Sequence, residues 1–170
     1  MSQIAFADVL LPPAADGYRD SFGALAENAD IQDLVTKRVG IGAVRAKVDT
    51  GARSSALHVL DQESFHRDGA EYVRFLLDTG VHGLAPQPAE ARVIDRRRVT
   101  DSGGHVTERP FILTRLRMAG LEWEAEVNLT HRRNMLFPML LGRTALAGRF
   151  LVDPASSFLQ GDPPEGLIPS

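Results

Sequence analysis

The chain has 170 residues and 44% hydrophobic content, enough for one packed domain, and no apolar run long enough to cross a bilayer. It contains no cysteine, which excludes disulfides, thiol nucleophiles and thiolate zinc sites. A formal net charge of −3 argues against a general nucleic-acid surface, and of 19 cations only Lys37 and Lys47 are lysines, which leaves 19 − 2 = 17 arginines suited to two-pronged capture of carboxylates.

Residues 1–31 carry a short apolar run and Pro12-Pro13 and read as an N-terminal arm, with residues 14–30 as a short helix or an extended piece. The segment lacks the cationic start and unbroken apolar core of a signal peptide, so a cytoplasmic location and no membrane partner are expected. From Leu34 the pattern is β-like. Leu34 to Ile41 and Ala43 to Val48 read as two strands broken by Gly40 and Gly42, Leu57 to Phe65 as another, and Tyr72 to Leu77 as a short one. Pro86 and Pro88 mark a loop. Ala91 to Thr100 and Val106 to Leu116 flank Asp101-Ser102-Gly103-Gly104-His105, the pattern of a long hairpin with a glycine-rich tip. Leu121 to Leu129 is a further strand and Arg143 to Ala147 a helical turn. Residues 155–170, with Pro163-Pro164, read as a tail.

The run Val44-Arg45-Ala46-Lys47-Val48 ends in Asp49-Thr50-Gly51-Ala52, followed by Ser54-Ser55. A strand ending in Asp, a hydroxyl residue, Gly and a small residue can turn its carboxylate inward while the backbone passes close to an equivalent loop, since Gly51 has no Cβ to block the approach. Thr50 can bond across to that second loop or only within its own turn. Ser54 and Ser55 read as caps of the next segment. About ninety positions on, Phe137-Pro138-Met139-Leu140-Leu141-Gly142-Arg143-Thr144 gives an apolar pair, Gly and a short helical start. A second Asp78-Thr79-Gly80 follows Phe75-Leu76-Leu77, but 78 − 49 = 29 positions leave no room for a complete second lobe, and Val81-His82 follows it. It reads as a plain turn.

The two strings Lys47 to His58 and Pro138 to Pro154, 12 + 17 = 29 residues, resemble the bacterial retropepsin-like aspartic protease family of the RimB type, often labelled an ATP-dependent zinc protease and found beside glutamate ligases. The resemblance implies a mainly β, closed-barrel protomer over residues 32–154 with a flap hairpin and a short helix. It implies catalysis by Asp49, Thr50 and Gly51. The segment Leu140, Leu141, Gly142 and Arg143 would form a psi-shaped crossing beside that loop. Ala52, Arg53, Arg96, Arg97, Arg98, Gly103 and Gly104 would contact substrate. One chain supplies one such loop, while the chemistry needs two carboxylates sharing a proton across a water, so a homodimer is expected.

In the viral relatives an acid stands where this chain has Arg53, so Arg143 either pairs with another carboxylate such as Asp61 or Glu63, or faces the substrate with Arg53. In a strand Arg96 and Arg98 share one face and Arg97 the other. With Arg132-Arg133, these cations suit an acidic peptide, glutamate-rich tails among them; a charged edge strand shielded from aggregation is the plainer reading. No His-Glu-x-x-His helix or phosphate loop occurs, and although His58 and His66 could meet, neither a metal nor another cofactor is expected. The rival readings are a catalytically silent dimeric peptide-binding module and a metal-dependent peptidase.

Overall fold

The computed structural model describes residues 3–10, 41–79, 85–131, 137–153 and 155. Among these residues nine strands and one helical turn follow in order: β1 (Gln3–Leu10), β2 (Ile41–Val48), β3 (Ser55–Val59), β4 (Asp61–Arg67), β5 (Ala70–Leu77), β6 (Gln87–Thr100), β7 (Val106–Met118), β8 (Leu121–His131), β9 (Met139–Leu141) and α1 (Arg143–Leu146). Alternation drives the pattern. On β8, Trp123, Ala125, Val127 and Leu129 are buried while Glu122, Glu124 and Glu126 face out, as expected of a strand with one face on the core. Val44, Ala46 and Val48 from β2 meet Leu57, Val59, Ile112, Leu116, Met139 and Leu141 in one apolar cluster.

The tight connections follow from local chemistry. Asp68-Gly69 and Ala119-Gly120 each hold two left-handed residues in a row, which matches the twist of a two-residue hairpin. They join β4 to β5 and β7 to β8.

The sheet order is β1-β2-β9-β3-β8-β7-β6-β5-β4, with a further pairing of Asp8–Leu10 on β7. This is an open mixed sheet and corrects the closed barrel expected from the sequence. The cause is β6, which serves two neighbours in succession: Gln87 to Arg92 pair with β5, and from Val93 onward the strand pairs with β7, with a bulge at Ile94 between the two registers. The sheet therefore runs past β7 to end at β4. That edge reads Asp-Gln-Glu-Ser-Phe-His-Arg, a charged strand poorly suited to recruiting another chain.

The sequence reading set Gln3–Leu10 in an arm, whereas it is a strand paired antiparallel with β2. Two expected strands merge or divide: β2 runs unbroken through Gly42, and a break at Leu60 separates β3 from β4. The expectations for residues 14–30, Leu34 to Gly40, Arg132-Arg133 and Pro163-Pro164 lie outside the described residues. Among the described residues no helix is long and apolar enough to cross a membrane.

Candidate functional site

β2 and β3 are consecutive in sequence yet do not pair with each other; β9 lies between them, parallel to β2 and antiparallel to β3. The connection from β2 to β3 is Asp49-Thr50-Gly51-Ala52-Arg53-Ser54, so the apolar pair Leu140-Leu141 holds both ends of that loop. Asp49 N–H donates to Leu141 O at 2.9 Å, and Arg143 N–H and Thr144 N–H donate to Ala52 O and Arg53 O at 2.9 and 3.1 Å. Leu140 and Leu141 thus lie between the strands that enter and leave the loop.

Gly142 permits this closeness. A Cβ there would lie 2.5 Å from Ser54 O and 2.9 Å from Arg53 O, distances no side chain tolerates. Its N–H donates to the buried Ser55 Oγ at 3.1 Å. Ser55 therefore ties the loop to β9 rather than capping a segment. Behind it, Asn128 on β8 donates to Ser55 O at 2.6 Å and accepts from Arg109 Nη1 at 3.2 Å. Asn128 is 1% exposed and Arg109 8%, so this chain of bonds runs through the interior from β7 to the loop.

The carboxylate of Asp49 is oriented by its own loop: Oδ1 accepts the N–H groups of Gly51 at 2.9 Å and Ala52 at 3.2 Å. Oδ2 has no partner among the described residues. Thr50 and Gly51 are exposed. Arg143 does not reach Asp61 or Glu63; its Nη1 donates to Thr50 O at 3.0 Å and Gly51 O at 2.9 Å. The arginine thus fixes the peptide planes whose N–H groups hold Asp49, a role that sequence pairing rules do not suggest.

Asp49, Gly51, Ala52 and Arg53 open onto a cleft of about 1180 Å³ between the loop and the β6–β7 hairpin. The hairpin forms as expected. At its tip Asp101 accepts the N–H groups of Gly103 at 2.8 Å and His105 at 3.0 Å, and these bonds, led by that from His105, hold its carboxyl below the usual aspartate range. Gly103 and Gly104 shape the tip but do not line the cleft; Asp101 and Ser102 do.

The three adjacent arginines divide differently from simple alternation. Arg96 leaves the cleft and donates Nε to Glu71 at 3.0 Å and Nη2 to Ser64 at 2.7 Å, lowering the Glu71 carboxyl and joining the hairpin to β4 and β5. Arg97 and Arg98 both line the cleft. Arg97 is spoken for, bonded to Asp95 and Glu126 at 2.6 Å each and stacked 4.3 Å over Phe111; its guanidinium is held still more firmly protonated, by Glu126 first and Asp95 second. Arg96, expected to contact substrate, is instead turned toward Glu71 and Ser64 and does not line the cleft. Its neighbour, the Ile94 bulge, shifts the register, and Glu71 captures the side chain.

Asp78 is exposed and outside the cleft, and the turn expected from Asp78 to Gly80 runs into residues outside those described. His58 lines the cleft, whereas His66 is exposed on β4. Among the described residues no three His, Asp or Glu side chains are grouped to hold a metal ion. Sequence reasoning missed Arg109 and Asn128; an amide between Val127 and Leu129 in an otherwise apolar strand end was the available signal.

A mainly β molecule whose Asp-Thr-Gly-Ala loop is clasped by an apolar-apolar-Gly strand under a hairpin is of the aspartic-peptidase type in architecture. The family profile described as retropepsin-like aspartic endopeptidase RimB matches residues 31–163, and the chain belongs to that family. It is similar to proteins named "Probable alpha-L-glutamate ligase" from Shewanella halifaxensis, at 38% identity over 72% of this chain, and from Parasynechococcus marenigrum, at 37% over 73%. The match spans only 27% of the length of each of those relatives. A crystal structure of the Legionella pneumophila protein Lpg0085, of unknown function (DUF785), is similar at 28% identity and a TM-score of 0.58, covering 69% of this chain and 85% of that one.

Proposed function

We propose that the chain is one half of a homodimeric aspartic endopeptidase. The observation that carries this reading is Asp49 itself, a cleft-lining carboxylate oriented by two backbone N–H groups inside a loop braced by β9 and Arg143. The other Asp-Thr-Gly aspartate lies outside the cleft, and on this reading the partner carboxylate is the Asp49 of a second copy. Two carboxylates brought within a few ångströms share one proton. One takes a proton from water as its oxygen bonds to the peptide carbon, while the other donates a proton to the carbonyl oxygen. Collapse of the tetrahedral intermediate breaks the C–N bond: the amine leaves with a proton from one carboxyl while a gem-diol hydroxyl returns its proton to the other, restoring the singly protonated dyad. The exposed Thr50 hydroxyl suits a bond across the two-fold axis, and the β6–β7 hairpin suits a flap over an extended peptide.

Acidic peptides are the proposed substrates, glutamate-rich tails in particular. Cleft arginines support this, as do the names of relatives in which the matching segment belongs to a longer protein called a glutamate ligase. A hydrolase that trims what a ligase adds is a consistent pairing. Asp49→Asn is expected to abolish hydrolysis of a glutamate-containing peptide while circular dichroism and the sedimentation coefficient stay those of the wild-type dimer. Retained hydrolysis in Asp49→Asn, or full activity from a monomer, ends this reading.

A further inference from the structure

The cleft is lined by Arg53, Arg97, Arg98, Arg109 and Arg149, and the geometry separates them by what already occupies each guanidinium. Arg97 is held by Asp95, Glu126 and the Phe111 ring. Arg109 is buried and bonded to Thr107 Oγ1 at 2.9 Å and to Asn128. Arg149 donates to Ala147 O at 3.3 Å and lies over Trp123. Arg53 and Arg98 differ: both are exposed, and among the described residues neither guanidinium makes a hydrogen bond or an ion pair. Arg98 faces Glu108 across the hairpin without pairing to it.

These two side chains also leave from fixed backbone. The Arg53 carbonyl accepts from Thr144 N–H at 3.1 Å and Thr144 Oγ1 at 3.0 Å, four positions from Asp49. Arg98 sits in the paired part of the hairpin, beyond Arg97 on the way to the tip. One uncommitted cation therefore stands on the catalytic loop and one on the hairpin opposite. The same cleft carries Asp49, Asp101, Glu124 and Glu126. Separate carboxylates spaced along an extended peptide can each face one fork-shaped guanidinium.

We propose that Arg53 and Arg98 are the specificity-determining residues that read acidic side chains of the bound peptide, and that Arg96 and Arg97 take no part in that reading. The inference rests on the cleft being the peptide groove, and its test is chosen to be independent of catalysis. Binding of an acetylated hexaglutamate peptide and of its hexaglutamine isostere is measured by calorimetry on Asp49→Asn protein, alone and combined with Arg53→Gln, Arg98→Gln or Arg96→Gln. The expected result is tighter binding of the glutamate peptide, weakened about tenfold by Arg53→Gln and by Arg98→Gln, with glutamine-peptide binding unmoved and no change from Arg96→Gln. The proposal is overturned if neither peptide binds, if both bind alike, or if discrimination survives loss of both arginines. If discrimination behaves as expected while wild-type protein cleaves nothing, the arginine assignment stands and the peptidase reading falls.

Discussion

Adding one methyl group at Gly142 tests whether β9 sets the geometry of the Asp49 loop. The added Cβ in Gly142→Ala would start 2.5 Å from Ser54 O and 2.6 Å from Ser54 C, both backbone atoms, so no side chain can swing aside to make room. Reaching the 3.4 Å of ordinary contact requires 3.4 − 2.5 = about 0.9 Å of loop displacement. That movement strains the bonds from Thr144 to Arg53 O and from Gly142 N–H to Ser55 Oγ. Overpacking of this kind costs about 1–3 kcal/mol. With a urea slope of about 2 kcal/mol/M, the unfolding midpoint is expected to fall by about 0.5–1.5 M. A misplacement near 1 Å at a catalytic group costs about a hundredfold in rate, so kcat/KM should drop by that order. Gly120→Ala serves as the control: its left-handed φ of 76° makes alanine strained, by about 1 kcal/mol, but no atom lies within 4 Å and the turn is on a different loop, so activity per folded molecule should hold. Wild-type activity in folded Gly142→Ala, or equal activity loss in Gly120→Ala, refutes the argument.

Arg143→Met removes both bonds to the Thr50 and Gly51 carbonyls. Because those exposed carbonyls can turn to water, stability should fall by only about 1 kcal/mol in urea melts, while kcat falls more than KM rises. At the hairpin tip, the Asp101 carboxyl is depressed in the folded protein, so its contribution is present above the ordinary aspartate value near 3.8 and is lost as pH falls through the lower folded value. The protection of the Gly103 and His105 amides against exchange, taken by NMR relative to the unstructured rate at each pH, should therefore fall on acidification below about pH 4. Asp101→Asn should flatten that acid response, and an unchanged pH dependence in the variant would count against the carboxyl as its source.

Much of the molecule was readable from local pattern. The alternation in Leu121 to Leu129, the turn chemistry of Asp101 to His105 and the Asp49 and Gly142 strings each specify a local structure with few alternatives. What escaped the reading depends on distant partners. Whether Arg96 or Arg97 faces the cleft is decided by Glu71, 25 positions away, and by a bulge that adds one residue to β6. The role of Arg143 is decided by carbonyls that every residue possesses, so nothing in side-chain identity announces it. The first strand was missed because Ile4-Ala5-Phe6-Ala7 is short and weakly patterned and gains its place by pairing with β2 and β7. Sheet closure depended on how far β6 continues past β7, and strand length is set by tertiary pairing more than by propensity.

The position of β9 also orders events in time. The segment that clasps the Asp49 loop is made some ninety residues after it, and β2 and β3 flank a gap until Met139–Leu141 arrives to fill it. A growing polypeptide on the ribosome thus carries the acid long before it carries the wedge that braces its loop. Premature termination upstream of Met139 yields products in which nothing separates β2 from β3, so the Asp49 loop lacks its brace.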